Sequence, residues 1–186
     1  MSSDAGRPFS RLLILSRMSG AAALNSRTFD EVKSDEATTI QALVVVVMAA
    51  VATGIGLGTR LGGLPVFVVG WSVSWATWVL IVYVLTTVLR PGPLLGSLET
   101  AAEPDPLALA RAAGFAQSPV IFQVFGVIPG LGVTAYTTIF VVVSIWQVAA
   151  VSVGVRQWGN YGSTLRAVLV VAAGFAPSLV LELVLS

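Results

Sequence analysis

The side chains that enzymes use most often are scarce in this sequence. It contains no histidine and no cysteine, which removes the imidazole base, the thiolate nucleophile and the two commonest zinc ligands together. Serines and threonines are plentiful, but a hydrolytic triad needs a base beside the hydroxyl, and Lys33 is the single lysine available for it. Three clusters still have types and spacing that bear on chemistry. Asp30, Glu31, Asp35 and Glu36 in FDEVKSDEATT carry the oxygens a hard cation would take. The glycine and ligand ladder of a calcium loop are missing, so they read as acids at the start of a helix, where the helix dipole favours them. Gly54, Gly56 and Gly58 in GIGLG resemble part of a phosphate-cradling loop, but no strand precedes them and no Lys-Ser/Thr follows. Gly54, Gly58 and Gly62 instead have the four-residue spacing that lets helix backbones approach closely in lipid. Trp71, Trp75 and Trp78 stand at i, i+4 and i+7, on one helix face. Such a stripe suits a pigment or quinone, and more simply a neighbouring helix or lipid. No catalytic, cofactor-binding or metal-binding residue is assigned.

Composition names the solvent. Hydrophobic residues make up 56% of the chain and charged residues 10%, whereas a soluble domain carries roughly 25% charged residues. One soluble core cannot use that much apolar surface, so lipid must surround most of the 186 residues, and no length remains for a second folded domain. Arg7 and Arg11 precede an apolar run, but Leu12 to Leu15 is shorter than the roughly 7 to 15 residues a signal peptide needs, and no cleaved signal is expected.

Uncharged stretches run from Ala37 to Thr59, Leu61 to Leu89, Ala112 to Val155 and Ala167 to Leu181. About 20 helical residues cross the hydrocarbon, so the third stretch holds two crossings. Inside it lies Ile128-Pro129-Gly130-Leu131-Gly132. Pro129 removes a backbone donor, and Gly130 and Gly132 permit a tight reversal, so the chain is expected to turn back there. The expected fold is all-α and polytopic: a cytoplasmic or interfacial segment over 1–36, then a five-helix transmembrane domain over 37–186. Its spans fall near 41–57, 66–89, 112–128, 133–155 and 167–185. A barrel would need alternating polarity, which these runs lack. With the N-terminus in the cytoplasm, nine of the ten basic residues fall on that side and only Arg60 lies outside, as the positive-inside rule requires.

Before the first span, Arg7, Ser10, Arg11 and Arg17 share one arc of a helical wheel, while Phe9, Leu12, Leu13 and Leu15 share the other. An amphipathic interfacial helix is expected, its arginines facing anionic lipid. Thr38 with Gln41 fits a capping box opening the first span. The stretch from Arg90 to Arg111, with Pro91, Pro93, Pro104 and Pro106, reads as a cytoplasmic connector with room for one short helical turn. Trp158 and Tyr161, in a short turn, are interface anchors. No ionisable group lies deep in a span, since Glu182 is near the outer surface, so a proton relay has no parts. Gln117, Gln123, Ser144 and Gln147 are the polar groups at depth; counting back from Gly130 sets Gln117 level with Ser144, and the two are expected to join their helices.

The segment from Phe29 to Ala42, the run Arg111-Ala112-Ala113-Gly114-Phe115-Ala116 with Pro119, the turn Ile128 to Gly132, Trp146, and Val155-Arg156-Gln157 followed by Ser163-Thr164-Leu165-Arg166-Ala167 together resemble the bacterial branch of the YIP family. That family is named for eukaryotic members that interact with Rab-type GTPases. The resemblance covers roughly residues 29–185 and implies five membrane helices, a cytoplasmic N-terminus and the bacterial cytoplasmic membrane. The Asp-Leu-x-Gly-Pro motif of eukaryotic members is missing here, and the family supplies no catalytic residue.

The sequence thus points to a non-catalytic membrane scaffold or accessory subunit. Its expected partners are the lipid bilayer and other membrane proteins, with no nucleic acid and no cofactor. The alternative is a permease-like component for a neutral small molecule, which would need a hydrated path through the bundle.

Overall fold

Each uncharged run has to close its own backbone hydrogen bonds, and all regular structure among the described residues is helical. The computed structural model describes residues 11–59, 62–87 and 105–185. Arg7, Arg60 and the part of the connector from Arg90 to Pro104 lie outside them. Seven α-helices occur among the described residues: α1 Arg11–Ala22, α2 Ser26–Ser34, α3 Thr38–Gly56, α4 Leu64–Thr87, α5 Pro106–Phe115, α6 Val133–Trp158 and α7 Thr164–Leu185. A 3-10 helix, Ser118–Val127, follows α5. Among the described residues α3, α4 and α6 are long and apolar enough to cross a membrane.

The rod formed by α5 and the 3-10 helix is central. It packs against α3 on one flank and α6 on the other; α4 lies on α3, α7 lies on α6, and α7 meets α4 to close a ring. Small and β-branched residues dominate the seams, with Val45, Ala49 and Ala50 of α3, Leu109, Ala112 and Phe115 of α5, and Ala150 and Val155 of α6 all buried. In lipid, where burial from water no longer drives helix association, such close packing is the main source of cohesion.

Contacts between element ends give the molecule two unlike poles. At one, the starts of α3, α5 and α7 gather with the end of α6 and with α2, through Arg111, Lys33 and Arg156. At the other, the end of α3 meets the 3-10 helix and the start of α4. The described ion pairs all belong to the first pole.

Two expectations are corrected. The stretch 112–128 is not one straight helix, because α5 stops at Phe115 and the 3-10 helix begins at Ser118. Pro119 lacks an amide hydrogen and its ring clashes with a continuing α-turn. The hydroxyl of Ser118 instead donates to the Phe115 carbonyl at 2.6 Å. The helix also starts earlier than Ala112, since Asp105 caps it by accepting from the Leu107 amide at 2.8 Å, with Pro106 at its first position. End to end the two parts would reach about 35 Å, at about 1.5 and 2.0 Å per residue.

The second correction concerns the start of α3. Thr38 does not accept from an amide as a capping-box residue; its hydroxyl donates to the carbonyls of Val32 and Asp35, at 2.7 and 2.6 Å. Gln41 is drawn away by Arg17, as described next.

Candidate functional site

The charged pole holds the densest polar cluster in the described residues. Arg17 of α1 points inward, its side chain 7% exposed, and pairs with Glu31 at 3.0 Å and Asp35 at 2.8 Å. Its Nη1 donates to the Gln41 side-chain oxygen at 3.0 Å. A nearly dry guanidinium is held only where acceptors saturate it, and these three groups bring it two negative charges. Arg111 of α5 is buried in the same manner: it pairs with Asp105 at 2.9 Å and donates from Nε and Nη2 to the Lys33 carbonyl at 3.1 and 2.6 Å. Lys33 pairs with Asp30 at 2.8 Å and donates to the Gln157 carbonyl at the end of α6. Trp158 donates from its indole nitrogen to the Asp105 carbonyl at 2.9 Å. Three of the four acids singled out in the sequence are thus engaged by cations rather than converging on one point.

Arg156 is held differently. Its Nε donates to the Tyr161 carbonyl at 3.3 Å and its Nη1 to the Thr164 hydroxyl at 3.2 Å. Both partners are neutral, so the turn between α6 and α7 keeps a positive charge, as suits a helix C-terminus. Burial raises the Tyr161 phenol above its ordinary pKa.

Midway along the bundle two glutamines satisfy each other. The Gln117 side-chain oxygen accepts from Gln147 at 2.8 Å, joining the α5/3-10 junction to α6. The partner is therefore three residues on from Ser144, because the break after Phe115 shifts the register that a continuous helix would have set. The Trp146 indole stacks on Phe122 at 5.5 Å between ring centroids and donates to the Ala22 carbonyl of α1 at 2.7 Å. Trp78 packs against Gly174 and Phe175 of α7. Among the described residues the buried indole N–H groups of Trp75 and Trp78 find no acceptor. Trp71 stacks on Phe67 of its own helix at 6.0 Å.

At the second pole the contacts are between backbones. Gly56 lies directly on the Gln123 carbonyl, and Gly126 lies on the Gly56 carbonyl, so a methyl group at either position would collide with main chain. Gln123 and the Thr53 hydroxyl are hydrogen-bonded at 2.8 Å beside them. A notch lined by Thr53, Gln123, Tyr136 and Phe140 has no room for a water molecule. Of the glycines at four-residue spacing, Gly54 packs on Leu64 and Phe67 of α4, whereas nothing lies within 4 Å of a Cβ built at Gly58 or Gly62. Gly58 instead has φ of 68°, in the left-handed region, just past the end of α3. Gly56, between the spaced glycines, is the one that α3 needs against the 3-10 helix. The reversal comes at Pro129, where Gly130 has φ of 83° and Leu131 donates to the Ile128 carbonyl at 3.2 Å; Gly132 then caps α6.

Compared with known proteins, the chain matches no family model, no curated protein and no solved structure.

Proposed function

We propose that this protein is a non-catalytic integral membrane scaffold or accessory subunit, of the kind the YIP resemblance implies. It crosses the bacterial cytoplasmic membrane five times, through α3, α4, the α5 and 3-10 rod, α6 and α7, with the charged pole in the cytoplasm. One observation carries the reading: the glutamine side chains within the bundle are paired, Gln117 with Gln147 and Gln123 with Thr53, while the outward faces of the long helices are apolar. Ile40, Leu43 and Val47 of α3, Val66, Val69, Val73 and Leu80 of α4, and Val142 and Ile145 of α6 are all exposed. Such a body offers surface to lipid and to other membrane helices. A transported solute would need a line of free hydrogen-bonding groups along its route, and the glutamine and threonine groups are already engaged, which leaves, among the buried side chains of the described residues, only the indole N–H groups of Trp75 and Trp78 without a partner.

Mild-detergent purification of the tagged protein at native abundance tests the proposal. A membrane protein travelling with it in fixed proportion is the expected result. Isolation as a lone monomer would count against an accessory subunit, and uptake of a neutral solute by proteoliposomes would favour a permease.

A further inference from the structure

Helix α1 turns its one described charge inward and leaves leucines outward, beside Ser16 and Ser19. Its inward stripe is Ile14, Arg17, Met18 and Ala21, all buried, at i, i+3, i+4 and i+7. Leu13 and Leu15 point outward, 39% and 57% exposed, and Leu24 at the following turn is 37% exposed. From Leu12 to Ser26 the sequence has one charged residue, Arg17, and that charge faces the protein with two carboxylates on it. An aqueous or headgroup surface would select the opposite arrangement, with arginine outside and leucine inside.

The turn after α1 is also set back from the end of α6. The Ala22 carbonyl accepts from Trp146, which precedes the end of α6 at Trp158 by about 18 Å of helix. From there α2 runs back toward the charged pole, with Phe29 beside Gly154 and Lys33 at Gln157. The turn places its amides: those of Ala23, Leu24 and Asn25 donate to the carbonyls of Ser19, Ala21 and Gly20. Asn25 then caps α2 by accepting from the Arg27 amide at 3.0 Å. Ala23, Leu24, Asn25 and Ser26 are exposed here, so the turn has to sit shallow enough for its polar groups to reach headgroups or water while Leu24 points to the acyl chains. The outward face of α2, in contrast, carries Arg27, Asp30 and Glu31, as suits contact with headgroups.

We infer that α1 and α2 form a half-inserted hairpin. The outward leucines, Leu13, Leu15 and Leu24, reach the upper acyl chains of the leaflet at the charged pole, and the polar groups of the turn and of α2 lie at its headgroup boundary. The occupant of the outer face of α1 is lipid hydrocarbon, continuous with the lipid that meets Ile145 and Val148 of α6, both exposed. The hairpin adds cross-section to one leaflet only, and so couples the bundle to lateral packing in that leaflet. This inference rests on the membrane reading above.

Because the chain has no cysteine, introduced thiols report their own positions without background. Leu15→Cys and Leu24→Cys, both on outward faces, are to be compared with Glu36→Cys, exposed at the charged pole, and with Leu80→Cys, 60% exposed on α4. The probe is a membrane-impermeant maleimide applied to the charged-pole side of sealed vesicles. The expected result is loss of labelling at Leu15→Cys and Leu24→Cys, matching Leu80→Cys, with Glu36→Cys labelled. Labelling of Leu15→Cys and Leu24→Cys at the rate of Glu36→Cys while Leu80→Cys stays protected overturns the hairpin insertion alone. Labelling at Leu80→Cys as well overturns the membrane reading and the inference together.

Discussion

The two ends of α3 are held by opposite means. Its N-terminal end is fixed by charge: Arg17 binds Glu31, Asp35 and Gln41, and Thr38 binds two carbonyls behind it. Its C-terminal end is fixed by contact, Gly56 against the Gln123 backbone and Gly126 against Gly56, with one neutral hydrogen bond from Thr53. A charge is affordable at the first end because Glu31 and Asp35 remain 52% and 38% exposed, so the cluster keeps touch with polar surroundings. At the second end no charged group takes part, and removing side chains to bring backbones together joins the two rods. The difference teaches that one apolar helix can change its manner of attachment from end to end, by charge at one and by backbone contact at the other.

The comparison breaks most sharply at Arg17. Replacing both Glu31→Gln and Asp35→Asn leaves a buried cation without a counter-charge, and thermal unfolding in detergent is expected to show a loss of about 3 kcal/mol. Arg17→Met is expected to cost less, because the two carboxylates return to water. Equal losses would mean that the cluster is not organised around the arginine. At the other end, Gly56→Ala drives a methyl group into the Gln123 carbonyl, an overpacking expected to cost about 1–3 kcal/mol. Gly62→Ala, which meets nothing within 4 Å, should leave the same melting curve unchanged; destabilisation at both would dissolve the distinction between packed and open glycines.

Between the ends, Gln117→Leu should cost on the order of 1 kcal/mol, and Gln147→Leu on that background should add little, since one bond serves both. A double mutant with the full sum of the single losses would show that they act separately. The smallest effect belongs to the charged pole at high pH. Burial raises the Tyr161 pKa, so the phenol's contribution is complete below the free-tyrosine pKa and is lost as pH rises through the folded value. Ultraviolet titration should place its ionisation above that of free tyrosine and Tyr161→Phe should remove that component, whereas a midpoint at or below the free value would mean that the turn is hydrated.

Much of this comparison was readable from residue order. The lengths of α3, α4 and α6 follow from uncharged runs between Arg and acidic residues, and the reversal at Pro129 follows from a proline next to glycines. Gln117 could be assigned to a seam with α6 because a polar group at depth needs a partner. Its actual partner, Gln147, depends on the break that Pro119 makes after Phe115, and a straight-helix count sets the level at Ser144 instead. The start of α5 left a local signal in Asp105 and Pro106, a cap followed by proline, which reading the stretch as a connector passed over. The inward turn of Arg17 had no local signal. A helical wheel separates the arginine arc from the leucine arc but does not say which arc meets the bundle; that is decided by Glu31 and Asp35, brought back by α2. Gly56 was hidden for a similar reason, since the four-residue spacing of Gly54, Gly58 and Gly62 marks a face without saying where another backbone lies.

The central claim is that hydrocarbon separates the two poles, and the two turns at either end of α6 test it most directly. Gly132 and Gly162 both have open space around a built Cβ, so Gly132→Cys and Gly162→Cys should leave the fold intact. In intact cells an impermeant maleimide is expected to label Gly132→Cys and spare Gly162→Cys, and in inverted vesicles the pattern should reverse. Labelling of both from the same side would contradict the account.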